Sequence, residues 1–500
     1  MEEPMRVNRW LVLLGVAIPT LMIEMAGTGV FVALEVITTD LGVSIHRSAW
    51  LTTMYLAANA LMLPLAGWLG KKLGYRNVII AGILVFTASA LLGGLSRSFD
   101  TLVLFRTLQG LGDGPMIPVI TALLLELFPV RERGRMMAGL MLAIGLAPAL
   151  GPLLSSWVVE TLGWRGIFHA NVILGLVSLA AVSCLLPPMR ARDDGVAVSW
   201  RAFVPLALFT GSFQLFLDRG QHYDWFASGW MVALFSLAVL ALAAFGVVIW
   251  VTRDRSILDL TLLWDLSFLT GNLANVLLLG AVYGALMLKV LYLQWLMGYT
   301  ARQVGSYQAV LAGSMLLSGL VAGAITDRVH PRWPVLAGWP ILMYGLWLAS
   351  RLTLFAGGET IWRVGVMVGA GVGLVAVPLS VTVFATIPHH RLGAATVVNS
   401  YLSAMGGGIA LAAAAALFMH RLDVSFVHLG AAARLGQPAY RRYLMPGAFS
   451  LEALYQRVLA EAAVVAFNEV MYAAALLLCL LVVYLPFIKK ATPGGPAGTS

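Results

Sequence analysis

Apolar residues recur along this chain in runs of about twenty, each closed by a short polar break. A helix of about 20 apolar residues crosses the hydrocarbon core of a bilayer. The pattern therefore predicts spans near 10–34, 48–69, 77–96, 102–127, 134–158 and 166–188. After a polar break at 190–195 come two more, 200–217 and 227–251, then six near 267–296, 304–326, 333–355, 361–386, 392–419 and 463–487. Fourteen spans make an all-α membrane protein with both termini on one side. Segment 422–461 is the long hydrophilic connection, with room for a short surface helix at 450–462. The tail, 491–500, reads as disordered.

Within the fourth run the apolar pattern is broken by Arg106 and Asp113. Each charge at bilayer depth costs roughly 2.5–3.5 kcal/mol, so such groups face a cavity or a partner. Their spacing is close to two helical turns, which puts both on one face about 10 Å apart. That separation excludes a direct ion pair within the helix. Each group needs water, a ligand or a partner from another helix, and the glycines and proline of 110–115 let a neighbour come close.

A repeat organises the rest. Segment 67–76 (GWLGKKLGYR) and segment 323–332 (GAITDRVHPR) share register at Gly67/Gly323, Lys72/Arg328 and Arg76/Arg332. Both end predicted spans on the same side, eight spans apart. This predicts two six-helix halves, 1–190 and 256–490, with a linker pair at 191–255. Two halves related by an axis along the membrane normal are a transporter architecture, with the binding site at their interface.

Composition and charge narrow the class. The chain is 60% apolar and 11% charged, against about 25% charged in soluble proteins. A net charge of +9 raises nucleic acid as a partner, but the basic residues lie in short loops. Sorted by side, 18 fall with the termini and 7 in the short loops opposite. The positive-inside rule then places both termini in the cytoplasm and the protein in the cytoplasmic membrane. The first run follows Arg6 and Arg9 as a signal peptide would, but it is too long for one and reads as a span. Two cysteines, Cys184 and Cys479, support neither a disulfide framework nor a thiolate metal site. Asp218, His222 and Asp224 have the look of metal ligands but read as loop structure, so no metal or cofactor is expected. An integral membrane enzyme is the alternative outside transport. Against it, the chain lacks GxSxG, HExxH, CxxC and P-loop signatures, which also removes ATP as a direct energy source.

Several motifs carry a family resemblance. Segment 67–76 resembles the loop signature GxLaDrxGrkxx, with Lys71 at the usual aspartate, and Gly67, Lys72, Gly74 and Arg76 in register. Segment 104–112 matches lxxRxxqGxg through Arg106, Gln109 and Gly110. Segment 147–154 resembles the fifth-helix antiporter signature through Gly151 and Pro152, and 164–171 the start of the sixth helix. Segments 217–226 and 292–305 add two more. In this order they resemble the fourteen-helix drug:proton antiporter family of the major facilitator superfamily (EmrB/QacA-like), closest to the EmrB branch. The departures bear on mechanism. In the first helix Ala26 stands at the usual acidic position, with Phe31 and Glu35 replacing an asparagine and a proline. Glu24 lies two residues before Ala26, Asp113 stands where relatives are usually small and neutral, and Ser403 replaces an arginine.

The resemblance implies a proton-coupled exporter of small lipophilic or amphiphilic compounds, the inner-membrane part of a tripartite pump with an EmrA-like periplasmic adaptor and an outer-membrane channel. The adaptor's expected contact is 422–461. A dedicated exporter of one metabolite, such as a siderophore or fatty acid, is the alternative within transport. Proton coupling is expected at Asp113, Glu24 and Arg106, because an antiporter needs a carboxylate whose proton affinity follows its surroundings. A permanent structural pairing of acid and arginine is the other reading. Phe31, Tyr55 and Gln109 are expected to line the substrate cavity. Gly145, Pro148, Gly151 and Pro152 are expected to form a hinge or a seal between the halves, or simple close packing. Lys71, Lys72, Arg76, Arg131, Arg133 and Arg135 are expected either to pair with Asp327 and Glu132 as a latch of the outward-facing state, or to set orientation and meet anionic lipid; Arg328 belongs with Asp327 to the second copy of the loop motif. Lys289 is expected to meet charged substrates or to snorkel, and His169 to relay protons or serve structure.

Overall fold

A computed structural model describes residues 8–48, 50–187, 199–252, 257–432 and 451–480. Among them the chain is helical throughout, with no strand. In order the helices are α1 (Arg9–Leu41), α2 (Ile45–Ser48), α3 (Trp50–Met62), α4 (Ala66–Leu73), α5 (Tyr75–Gly94) and α6 (Phe99–Asp113). Then come α7 (Met116–Leu127), α8 (Arg133–Leu162), α9 (Arg165–Leu185), α10 (Trp200–Arg219), α11 (Gly229–Thr252) and α12 (Leu266–Leu291). The last five are α13 (Ala301–Arg328), α14 (Arg332–Ala349), α15 (Gly358–Val383), α16 (Leu392–Ala432) and α17 (Leu451–Cys479).

Local chemistry sets the ends. The Asn8 side chain accepts from the Trp10 N–H at 3.1 Å, and Ser98, Asp265 and Thr300 cap α6, α12 and α13 in the same way. Two predicted spans are broken. Pro64 sits in a 3₁₀ turn, Leu63–Leu65, between α3 and α4. Gly114 and Pro115 separate α6 from α7, directly after Asp113. Proline cannot donate to the helix ladder and disrupts the turn before it, so the ladder is interrupted where the buried acid stands.

Eleven segments among the described residues are long and apolar enough to cross a membrane. The other three predicted positions are occupied by α3 with α4, by α8 and by α14. One group of helices is built on α1 against α8 and α9, α3 against α6, and α5 against α6 and α9. The second is built on α12 against α16 and α15, α13 and α14 against α15, and α16 against α17. Helices α10 and α11 pack on each other, and α10 bridges α3 and α16.

The two groups meet at the face that carries the N-terminus. Asp327 of α13 accepts the Gly134 N–H at 2.7 Å and pairs with Arg135 at 2.8 Å. A Cβ at Gly323 would stand 2.6 Å from the Gly134 carbonyl, so only glycine allows these helix ends to approach this closely. Val397 of α16 packs on Gly67, and α16 also packs on α4 and α7. On the same face Arg391 holds Asp259, whose carboxylate also accepts from Thr261. Burial opposes the Asp259 charge, but these bonds hold its carboxyl below the usual carboxylate range.

Segment 422–461 differs from its expected form. Helix α16 continues to Ala432 and α17 begins at Leu451, so the described part is helix, and residues 433–450 lie outside the described residues. The 41 residues of α16 span about 60 Å, twice the hydrocarbon core. Its far end therefore stands beyond the membrane. Arg421 pairs with Glu469 at 3.2 Å, and the Phe426 and Tyr455 rings meet at 5.3 Å. These cross-contacts join the described ends of the segment as a helical pair. The tail at 491–500 lies outside the described residues.

Candidate functional site

Asp113 ends α6 with no exposed surface. The Tyr55 hydroxyl of α3 donates to its Oδ2, and Asn59 Nδ2 donates to its Oδ1 at 2.8 Å. Tyr55 and Asn59 are one turn apart and so share the face of α3 that meets α6. Close approach makes this possible. A Cβ at Gly110 would run into the Tyr55 carbonyl, and one at Gly114 would stand 2.5 Å from the Asn59 carbonyl. The glycines of 110–115 thus bring the backbone of α3 against α6.

Arg106, two turns earlier, is fully buried. It donates from Nη1 to Gln109 Oε1 at 2.7 Å, reaches the Ala26 carbonyl of α1 at 3.5 Å, and lies over the Tyr55 ring at 4.2 Å. Its Nε, and Nε2 of Gln109, have no hydrogen-bond partner among the described residues. Tyr55 therefore connects the two charges that are too far apart to pair, offering its ring to Arg106 and its hydroxyl to Asp113. Two buried donors remain free for an incoming acceptor.

Glu24 of α1 interacts electrostatically with Asp113 and with Tyr283 of α12, a helix of the second group. Glu24 is half-buried and Tyr283 is 41% exposed, so an opening between the groups reaches these side chains. The site is then a buried arginine, a buried acid and a bridging phenol, with a second acid facing the opening. Asn59 and Tyr283 are the residues that the sequence pattern does not single out. Asn59 carries a usable signal, since it is the one amide within its apolar run and lies one turn from Tyr55.

The other expected residues fall elsewhere. Gly145 of α8 meets Met315 of α13 across the groups, whereas Gly151 packs on Thr28 of α1 within the first group. Glycines of one motif thus serve both a seam and internal packing, and α8 continues as helix between them. The side chains of Phe31, Pro148 and Pro152 lie outside the described residues. Glu132 pairs with Arg9 at 3.1 Å rather than across the groups. Lys71 and Arg328 are exposed, Lys72 lies over Trp68, Gly74 turns the chain at φ 81°, and Arg76 donates to the Ser183 carbonyl at 3.0 Å. His169 is exposed on the outer surface of α9. Asp218 accepts from Thr53, fastening α10 to α3. Lys289 neither snorkels nor meets the opening; it is buried among aromatic rings.

The family model described as Major Facilitator Superfamily matches residues 16–412. The chain belongs to this superfamily. It is 27% identical over 493 residues to the multidrug export protein EmrB of Haemophilus influenzae, covering 96% of this chain and 95% of that one. The probable multidrug resistance protein EmrY of Escherichia coli is 26% identical with the same coverage. The fatty acid resistance protein FarB of Neisseria gonorrhoeae is 28% identical over 397 residues, covering 78% and 77%. Among solved structures, the human organic anion transporter MFSD10 aligns with a TM-score of 0.59 at 17% identity, covering 95% of this chain and all of that one. That likeness speaks for the fold alone. As a member of this superfamily, the chain is a multi-pass membrane protein with EmrB-like relatives.

Proposed function

We propose that this protein is a proton-coupled exporter of small lipophilic or amphiphilic compounds, of the multidrug efflux type. The observation that carries the reading is Asp113, a buried acid at a helix break, held by Tyr55 and Asn59 and linked through Tyr55 to Arg106. Its coherence with relatives named for multidrug export supports the substrate class. A buried carboxylate keeps its charge only with donors and a nearby cation, and gains a proton when these move away. In the arrangement described here the donors are engaged. Separation of α3 from α6 removes them and leaves Asp113 to take a proton. Glu24, facing the opening, passes a proton between that opening and Asp113. A substrate that offers an acceptor to Arg106 Nε or Gln109 Nε2 pulls Arg106 away from Tyr55, so substrate and proton bind in alternation.

In this reading residues 1–190 and 256–490 are the two moving bodies, 191–255 the linker pair, and the helix count is fourteen, with α3–α4, α8 and α14 also crossing. The bias of basic residues supports a cytoplasmic N-terminal face in the inner membrane. The helical pair of α16 and α17 beyond the membrane is the contact we assign to a periplasmic adaptor, and through it to an outer-membrane channel. A second reading, a dedicated exporter of one fatty-acid-like metabolite, is favoured by the likeness to the fatty acid resistance protein.

The test is efflux of rhodamine 6G and of a fluorescent fatty acid from proteoliposomes under an imposed pH gradient. Coupled export stops when the gradient is collapsed. Efflux that continues at the same rate would end the proton reading. Transport of the fatty acid alone selects the second substrate class.

A further inference from the structure

Lys289 stands on α12 in the core of the second helix group, 3% exposed. Its Nζ has no hydrogen-bond partner among the described residues. Three rings surround it instead, with centroids at 4.9 Å for Tyr292, 5.6 Å for Tyr307 and 5.8 Å for Phe467. The cage is fixed from outside. The Tyr292 hydroxyl donates to the Thr353 carbonyl at 2.7 Å and its ring stacks on Phe467 at 4.7 Å. The Tyr307 ring lies where a Cβ at Gly365 would meet it at 2.9 Å. Directly after Lys289 the helix loosens into a π-helical turn, Tyr292–Leu296. Such turns arise where a helix carries an inserted residue, frequently at functional positions.

An ammonium brings three donors, and this cage offers aromatic faces but no acceptor. Cation–π attraction to the rings is weak beside a hydrogen-bonded counter-ion, and it does not offset the desolvation of an unpaired charge buried inside the protein. Among the described residues no carboxylate pairs with it. On its own element and the turn beyond are the phenols of Tyr283, Tyr292 and Tyr299; Tyr283 faces Glu24 rather than the cage. From α13 comes Tyr307, and from α17 Phe467, while Glu469 is taken by Arg421 of α16. The charged pair on α15, Glu359 with Arg363, lies exposed at the start of that helix.

We propose that Lys289 is a second proton-binding group, separate from the Asp113 cluster, which is without its proton in the arrangement described here and takes one when the second helix group opens at the π-helical turn. The step is a simple protonation: the amine lone pair binds a proton from water entering the cage, and releases it when the rings close again. This rests on the proton-coupled reading above, but it places a proton site in the second helix group, away from Asp113. It also implies that opening of the cage is favoured by acid.

The experiment reads the distance between the halves against pH and needs no substrate. Spin labels are placed through Arg131→Cys and Arg332→Cys in a chain with Cys184→Ser and Cys479→Ser. In a background with Glu24→Gln and Asp113→Asn, the inter-label distance still shifts with pH; adding Lys289→Met removes that shift, while Lys289→Arg, charged throughout, holds the acid-side distance at every pH. Lys289→Gln serves as a second neutral variant where Lys289→Met is not monodisperse on size-exclusion chromatography. A pH profile unchanged by both neutral variants overturns the proposal, as does a background with no pH response. Loss of pH response in the parent chain as well would remove the proton-coupled reading along with it, whereas a responsive parent confines the failure to Lys289.

Discussion

The two helix groups share one architecture and differ in how they keep charge inside it. In the first, Arg106 and Asp113 are both buried, and each is met by named partners from α1, α3 or α6. In the second, Lys289 is equally buried and is met only by rings. A charge with fixed donors and a bridging phenol is held in place until its partners move. A base in an apolar cage is held only while it is uncharged. In the proposed mechanism the first half exchanges partners and the second responds to opening.

The largest effect tests the first half directly. Asp113→Asn keeps the volume and the contact with Tyr55 but cannot carry a proton, so coupled efflux falls to the level of empty liposomes while the protein still reaches the membrane. Glu24→Gln, which removes the acid at the opening, slows efflux but leaves a response to the gradient. Parent-like transport by Asp113→Asn would reduce that residue to a structural acid and move the coupling role to Glu24.

The second effect is on stability. Arg106→Ala removes the cation that Tyr55 links to Asp113, leaves Gln109 Oε1 without its donor and lowers stability. Asp113→Asn in the same chain removes the acid that the arginine serves and lessens the further loss. A thermal-unfolding cycle in detergent measures the coupling. Additive losses would show that the two groups do not act through Tyr55 as one unit.

How much of this was legible before the structure follows from the residues involved. Arg106 and Asp113 stand out because charge inside an apolar run is costly, and their spacing already excludes a direct pair. The partner that joins them is less visible, because Tyr55 reads equally as packing, and Asn59 matters only once α3 lies against α6. The break after Asp113 is written in Gly114 and Pro115, yet the apolar run continues through it. Segment 422–461 reads as a loop because it is hydrophilic, but helices that leave the membrane together can pair through Arg421, Glu469, Phe426 and Tyr455. Lys289 is visible as a charge near a span end; that it turns inward depends on Tyr307 and Phe467, which come from α13 and α17.

The third effect concerns the seam. Asp327→Ala leaves the Gly134 N–H without its acceptor and frees Arg135, which is half exposed. The ion pair is screened on its half-exposed arginine side although Asp327 itself is buried, and the lost backbone bond to a charged acceptor costs about 1.5–3 kcal/mol. Labelling of a cysteine placed at Gly319 rises several-fold in this variant as the seam loosens. Unchanged labelling would mean that the Gly134/Gly323 contact alone closes this face.

The smallest effect comes from an acid that water reaches. Asp40, at the far end of α1, accepts from Trp164 Nε1 at 2.9 Å and from Arg165 at 2.8 Å. These bonds, from Trp164 first and then Arg165, hold its carboxyl below the usual carboxylate range. In the unfolded chain it returns to an ordinary value of about 3.9. A depressed native value means that the contribution is fully present above that ordinary value and disappears as pH falls through the native one. Asp40→Asn therefore lowers the melting temperature in detergent slightly at neutral pH, and the gap to the parent narrows as the medium is acidified below about pH 4. Asp113, with its partners inside the protein, has no such contact with bulk water. A gap for Asp40→Asn that stays constant from neutral to strongly acidic medium would show that Trp164 and Arg165 hold a polar group there and not a charge.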